Sequence, residues 1–324
     1  MRPMTRSRPS GGARIGHVLR AARASRCVRD RLDAERRAVV IAVQRRACHV
    51  AVDGGPLLIL SKPGVPLAPN ALAVDVEAHV TLEDRGFRVG QVVALGASPP
   101  VEREADWLVT LETATIWEPR PRVHALGSRD LVDRVRRTRL TVVADGAGET
   151  LLPLLWPSGA DTRRFHPGIA GAAGPPAALL CDAALRCDAA SLTLASRGLA
   201  GLGPGLTPSG DDLLAGFVAA WTLIGESLGQ DRTASDRVTA AVAAGADRGA
   251  SPLGRVWLAH ACRGELLEPM TRYVAALLAD EPGDLGAAAR GALAVGSSSG
   301  TDWMVGFLLA AATLLDPTTS RRPW

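Results

Sequence analysis

Two contrasting halves of the chain predict an α+β fold. Between residues 37 and 160, short runs of β-branched and apolar residues alternate with Gly and Pro turns, as at 39–43 and 57–60. This pattern is typical of an antiparallel sheet or a small barrel. From residue 177 to 316 the chain is rich in alanine and repeats its apolar side chains with helical spacing, which predicts an α-helical domain.

The remaining segments complete a five-part division of the 324 residues. Residues 1–36 form a basic extension that we expect to be partly disordered, with one helix over the helically spaced stretch 15–37. The Pro and Gly residues of 161–176 indicate a linker, and 317–324 form a C-terminal tail. Within the β-rich part we predict one helix at 126–137 and a last strand at 140–143.

Positive charge is concentrated at the N-terminus. Residues 1–46 contain 13 arginines and three acidic residues, a net charge of +10, which leaves −6 for the remainder of a chain whose overall charge is +4. A basic arm can bind nucleic acid, but this one has no aromatic side chain on which bases could stack. We therefore expect a solvated extension and no nucleic-acid partner.

Two apolar runs, 213–225 and 303–315, raise the question of a membrane. Each is 13 residues long, short of the about 20 that a spanning helix needs, so we expect no membrane association. The N-terminus lacks the apolar core of a signal peptide, and the five cysteines show no metal-ligand spacing. These features predict a cytoplasmic protein with scattered reduced thiols.

The most informative segment is the glycine-rich run Gly-Leu-Gly-Pro-Gly-Leu-Thr-Pro-Ser-Gly-Asp-Asp at 201–212. Its glycines permit unusual backbone angles and its two prolines fix φ, which predicts a stiff turn before a helix capped by its serine. A helix N-terminus reached through such a turn favours anions, because free amides and the helix dipole attract negative charge. The candidate anion-binding residues are Gly203, Gly205, Thr207, Ser209 and Gly210.

Asp211 and Asp212 add two carboxylates to this turn, and they are the first candidate catalytic residues. Two ionised carboxylates repel a phosphate unless a cation lies between them, so a bound Mg²⁺ is one interpretation. No other cofactor is indicated. Alternatively, a carboxylate acts as a general base, holds an amide nitrogen, or only caps the helix. The plainest alternative is a helix-capping turn that binds nothing.

A second copy of this helix start follows 90 residues later. Both 209–217 and 299–307 read Ser-Gly-x-Asp-x-x-x-Gly-Phe. The repeat adds Asp302 to the candidate catalytic residues, and Ser299 and Gly300 to the anion-binding set. We predict two similar helices whose N-termini converge on one polar pocket. The alternatives are a coincidental match between two common capping patterns and a duplication with a purely architectural role.

The runs GLGPGLTPSGDDLLAG and SSSGTDWMVG resemble a bacterial family long catalogued as a domain of unknown function. Its better-described members are the AllH-type subunits of oxamate carbamoyltransferase. The resemblance implies a carbamoyltransferase subunit in allantoin and purine catabolism. The reaction it implies converts oxalurate and phosphate to oxamate and carbamoyl phosphate. It also implies a small anionic substrate and other carbamoyltransferase subunits as partners.

Two hypotheses about function follow from these residues. In the first, Thr207 and Ser209 bind phosphate oxygens while Asp211 or Asp302 orients a carbamoyl nitrogen. In the second, the chain is a non-catalytic binding or scaffold subunit of a metabolic complex that recognises a small anionic ligand.

Overall fold

A computed structural model describes residues 15–32, 36–96, 105–156 and 168–315. The chain divides into two compact units, Met1–Trp117 and Glu118–Trp324. The first unit is built from strands and the second from helices, which confirms the predicted α+β class. The division falls after Trp117 rather than near residue 160.

The first unit is a small closed barrel. Its sheet has the strand order β5-β4-β3-β2-β6-β7-β1-β8, and β1 also pairs with β5, which closes the sheet on itself. The pairs β1–β7, β6–β7 and β4–β5 are parallel, so the sheet is mixed rather than wholly antiparallel. The described elements are β1 (Ile15–Ser25), α1 (Arg26–Arg29), β2 (Arg36–Val43), β3 (Ala47–Val52), β4 (Leu57–Ser61), β5 (Ala71–Val74), α2 (Leu82–Arg85), β6 (Val92–Gly96), β7 (Ala105–Thr110) and β8 (Thr115–Trp117).

The first strand corrects the helix predicted over residues 15–37. Leu19 and Ala21 are buried while Val18 and Arg20 are exposed, a period of two that belongs to a strand. Pairing of β1 with β5 and β7 outweighs the helical propensity of its alanines and arginines, because tertiary context overrides local propensity. Residues 1–14 lie outside the described residues.

The second unit consists of nine described helices and one 3₁₀ turn at Leu152–Leu155. The helices are α3 (Ser128–Asp145), α4 (Ile169–Leu185), α5 (Ala189–Leu199), α6 (Ser209–Ser227), α7 (Arg232–Ala246), α8 (Pro252–Ala261), α9 (Glu268–Leu277), α10 (Leu285–Leu293) and α11 (Ser299–Leu315). None of the described helices is both long enough and apolar enough to cross a membrane.

Three helices differ from the sequence prediction. The strand predicted at 140–143 is the end of α3, whose buried residues recur with helical spacing. The described part of the predicted linker forms the start of α4, which continues through Pro175 and Pro176. The helical spacing of 177–197 predicts one helix, but the chain breaks at Cys187, which has a φ of 50°, and Asp188 then caps α5. Residues 157–167 and the tail from 316 onward lie outside the described residues.

Helices α6 and α11 form the centre of the second unit, and both are buried along almost their whole length. They approach closely at two glycines related by the sequence repeat. A Cβ on Gly216 would overlap the carbonyl oxygen of Trp303, and a Cβ on Gly306 would overlap that of Leu213. The contact is therefore reciprocal, because the backbone of each helix packs against the glycine of the other at equivalent positions of the repeat.

We predict that Gly216→Ala and Gly306→Ala each lower the free energy of unfolding by about 1–3 kcal/mol or more, since the added methyl group forces the helix backbones apart. Chemical denaturation followed by circular dichroism measures the effect. The matched control is Gly291→Ala in α10, where an added Cβ meets nothing within 4 Å. That change should stabilise the helix by about 0.5–1 kcal/mol. Equal effects at all three positions would contradict the reciprocal contact.

Candidate functional site

The glycine-rich run forms the tight turn that the sequence predicted. Gly201, Gly203 and Gly205 have φ values of 76°, 110° and 104°, in the left-handed region. Gly203 also lacks room for a side chain, because a Cβ there would lie 2.6 Å from Ile169 Cδ1 and 3.2 Å from Ser209 Oγ. The turn therefore packs against the start of α4 while it delivers the chain to α6.

The two serines begin their helices without capping them. Helix α6 starts at Ser209 with Pro208 at the N-cap position and no side-chain cap, and α11 starts at Ser299. The predicted capping box of Ser209 and Asp212 is therefore absent. Because each serine lies inside the first turn, its hydroxyl is available to a group outside its own helix.

The two helix starts do converge, and they interact crosswise. The hydroxyl of Ser299 on α11 faces the carboxyl of Asp212 on α6. The hydroxyl of Ser209 on α6 faces the carboxyl of Asp302 on α11. Thr207 joins them, because its Oγ1 lies 3.0 Å from Ser299 Oγ. The predicted convergence of the two repeats is thus present in the structure, as a cluster of two carboxyls and three hydroxyls.

Both carboxyls of this cluster are buried, which raises their pKa values. Burial raises the pKa of Asp212 well above its ordinary value, and the nearby carboxyl of Asp302 raises it further, although the hydroxyls of Ser299 and Thr207 lower it. Burial also raises the pKa of Asp302, against lowering by the N–H of Leu151 and the hydroxyl of Ser209. Only 4% of Asp212 and none of Asp302 is exposed.

One oxygen of each carboxyl has no hydrogen-bond partner among the described residues. Asp212 Oδ2 and Asp302 Oδ2 are both buried and unpartnered, which is unusual because native proteins pair nearly all buried polar atoms. Carboxylate oxygens are the ligands that Mg²⁺ prefers, and the sequence offered a bound Mg²⁺ as one interpretation of these carboxylates. Within the described residues, however, Asp211, Asp212 and Asp302 do not bring three carboxylate oxygens within 4.8 Å of one another.

Asp211 is used within the fold. Its Oδ1 accepts a hydrogen bond of 2.8 Å from the N–H of Gly201, and its Oδ2 accepts one of 2.8 Å from the N–H of Ser251. Ser251 in turn caps α8, its hydroxyl accepting from the N–H of Gly254 at 2.9 Å. The carboxylate of Asp211 therefore ties the glycine-rich turn to the start of α8. Its predicted catalytic role is not tested by this geometry.

The two glycines that follow the serines allow close packing. A Cβ on Gly210 would overlap the carbonyl oxygen of Leu199, and a Cβ on Gly300 would overlap that of Ala292. Their amides donate to Leu202 O and Val295 O, each at 2.9 Å. These N–H groups are therefore engaged within the protein, and their predicted contact with an anion stays a prediction.

A third segment, which no sequence pattern indicated, also contacts the site. The N–H of Leu151 donates to Asp302 Oδ1 at 2.7 Å, and the N–H of Ala147 donates to Thr301 Oγ1 at 3.1 Å. Residues 146–151, which follow α3, are thus held against the start of α11. Both contacts use main-chain donors, which leave no signature in side-chain identity, so no sequence pattern pointed to them.

Comparison with known proteins gives one match. The family model described as oxamate carbamoyltransferase subunit AllH matches residues 199–311. No curated protein and no solved structure matches the chain. The match confirms the resemblance to the AllH-type family that the runs GLGPGLTPSGDDLLAG and SSSGTDWMVG carry. It begins at the last residue of α5, just before the glycine-rich turn, and ends in α11, so it includes both copies of the repeated helix start.

We predict that Asp211→Asn lowers the free energy of unfolding by about 1–3 kcal/mol, because an amide nitrogen would face a buried backbone N–H in place of an acceptor. Urea denaturation at neutral pH measures the loss. Asp133→Asn is the control, because Asp133 forms only a 3.9 Å exposed pair with Arg136, which contributes little to stability. An Asp211→Asn variant as stable as this control would show that the carboxylate does not hold the turn.

Proposed function

We propose, from the AllH match over residues 199–311, that this chain is a carbamoyltransferase subunit acting on a small anionic amide. The reaction class is that of the family: oxalurate and phosphate give oxamate and carbamoyl phosphate, in the catabolism of allantoin and purines. The proposal places the reacting groups at the crosswise cluster of Asp212, Asp302, Ser209, Ser299 and Thr207, and it includes other carbamoyltransferase subunits as partners.

One observation carries the proposal. Within the matched segment, Asp212 and Asp302 both have raised pKa values, and each keeps an oxygen with no partner among the described residues at a helix N-terminus. Buried carboxyls with shifted pKa values and unused oxygens are typical of sites that bind or transform a ligand. A purely structural contact would pair these atoms with donors of the protein.

The chemistry of the cluster suits a carbamoyl group and an oxyanion. Carboxyl oxygens accept hydrogen bonds from the amide nitrogen of a carbamoyl group. The hydroxyls of Thr207, Ser209 and Ser299 donate to phosphate or carboxylate oxygens, and the N-terminal dipoles of α6 and α11 stabilise negative charge there. In this proposal Asp212 and Asp302 orient the carbamoyl group, and the three hydroxyls hold the anion beside it.

A second candidate function has its own supporting observation. Asp302 has no exposed surface, as expected in a binding or scaffold subunit that uses this carboxyl for packing. Isothermal titration of the purified chain with carbamoyl phosphate and with oxalurate separates the two. Binding that Asp302→Asn abolishes supports the catalytic proposal, and no binding to the chain or its complex supports the scaffold.

We predict that Asp302→Asn and Thr207→Val each lower kcat of the complex reconstituted with its partner subunits by about 10²-fold or more, as expected for loss of a positioned catalytic or anion-binding group. The assay follows phosphate-dependent formation of carbamoyl phosphate from oxalurate. Asp133→Asn is again the control and should leave kcat unchanged.

Circular dichroism and co-purification with the partners confirm that each variant folds and assembles. Wild-type turnover by folded, assembled Asp302→Asn and Thr207→Val would remove the cluster from the mechanism. Absence of turnover in the wild-type complex with these substrates would instead reject the proposed reaction.

A further inference from the structure

We propose that Asp212 and Asp302 form a singly protonated pair, in which the proton resides on Asp212 and Asp302 is ionised. The inference rests on the proposed function only for the ligand that the pair would recognise. The location of the proton follows from burial, neighbours and hydrogen bonds, and it is testable in the isolated chain.

The first step is that the pair does not hold two negative charges. Both carboxyls are more than nine-tenths buried, and each has one oxygen with no hydrogen-bond partner. An ionised carboxylate in that setting costs several kcal/mol unless donors surround it, and two adjacent ones repel each other as well. One proton shared between the two groups removes both costs.

The second step assigns the proton, because the two carboxyls are not equivalent. Asp302 Oδ1 accepts a 2.7 Å hydrogen bond from the N–H of Leu151. A backbone N–H can only donate, so it stabilises the ionised form. The groups that act on Asp212 are the hydroxyls of Ser299 and Thr207, which can either donate or accept, and they therefore tolerate a protonated partner.

The charged groups around Asp212 support the same assignment. Those that act on it are Asp302 on α11 and Asp211 on its own helix, and both are acidic. Asp211 accepts hydrogen bonds from two backbone N–H groups, those of Gly201 and Ser251, each at 2.8 Å. Asp212 thus has two acidic neighbours that accept hydrogen bonds from main-chain N–H groups, and ionisation of Asp212 would place a further negative charge beside them.

A pair with one protonated and one ionised carboxyl complements the carbonyl oxygen and the NH₂ group of a carbamoyl group. A carboxylic acid donates a hydrogen bond to a carbonyl oxygen, whereas a carboxylate accepts one from an amide nitrogen. Asp212 would therefore donate to the carbonyl oxygen of the substrate, and Asp302 would accept from its NH₂ group. A doubly ionised pair would have no donor for the carbonyl, so the protonation state selects a primary amide over a carboxylate.

Infrared spectroscopy of the isolated full-length chain labelled with ¹³C-aspartate tests the proposal at neutral pH. We expect one carbonyl stretch of a protonated aspartic acid. It should disappear in Asp212→Asn and remain in Asp302→Asn. Asparagine is isosteric with a neutral carboxyl group, so Asp212→Asn should fold. A band that is absent from the wild type, or that is lost only in Asp302→Asn, would overturn the assignment.

The pH dependence of stability gives a second readout. A carboxyl whose pKa is raised in the folded protein contributes stability in full only below its unfolded pKa of about 3.9, and this contribution is lost as the pH rises through the folded value. Asp212→Asn removes that titration, so its melting temperature should rise relative to the wild type as the pH increases from 4. A difference that does not change with pH would contradict a raised pKa at Asp212.

Addition of MgCl₂, with KCl at equal ionic strength as the control, distinguishes a proton from a metal ion. A band that survives Mg²⁺ supports the protonated pair. A band lost with Mg²⁺ but not with KCl would show that a divalent cation takes the place of the proton, and it would overturn the proposal. These measurements do not depend on enzymatic turnover. A complex without carbamoyltransferase activity would reject the proposed function and leave this inference standing, whereas the infrared and stability results test the inference alone.

Discussion

The reciprocal packing of α6 against α11 is the constraint on which the rest of the helical unit depends. Gly216 and Gly306 let the two backbones meet at equivalent heights, and this contact fixes the relative position of the two helix N-termini. The serine of each repeat then lies opposite the carboxyl of the other. A Ser-Gly-x-Asp-x-x-x-Gly-Phe motif therefore encodes both the packing and the chemical groups, and neither copy makes the site alone.

The approximate symmetry of the two repeats is broken by their surroundings. Asp302 is held by the main chain of Leu151, whereas Asp212 is contacted by Thr207 of the glycine-rich turn and by Ser299 of α11. Similar side chains thus have different environments, and separate environments are how proteins give two carboxyls separate roles. The repeat provides two matching acids, and the segments that differ around its two copies make their environments unequal.

Much of this arrangement could be predicted from the sequence. The repeat indicated two equivalent helix starts, and the glycines at 201, 203 and 205 indicated the tight turn. The contacts that could not be predicted use main-chain atoms, such as the N–H of Leu151 and the two amides that bind Asp211. The strand β1 was missed because its partners β5 and β7 lie far along the chain. Its local composition favours a helix.

The hydrogen bond between Thr207 and Ser299 has a consequence for how the cluster is reached. It lies where the half-buried turn meets the first residue of α11, while the close glycine contacts prevent the helices from separating. A molecule that approaches from the turn needs to displace one neutral hydroxyl pair, worth about 0.5–1.5 kcal/mol, and it can offer both hydroxyls new acceptors in return. A ligand would then reach the buried carboxyls by exchanging hydrogen-bond partners with Thr207 and Ser299. The packing of α6 against α11 would not change.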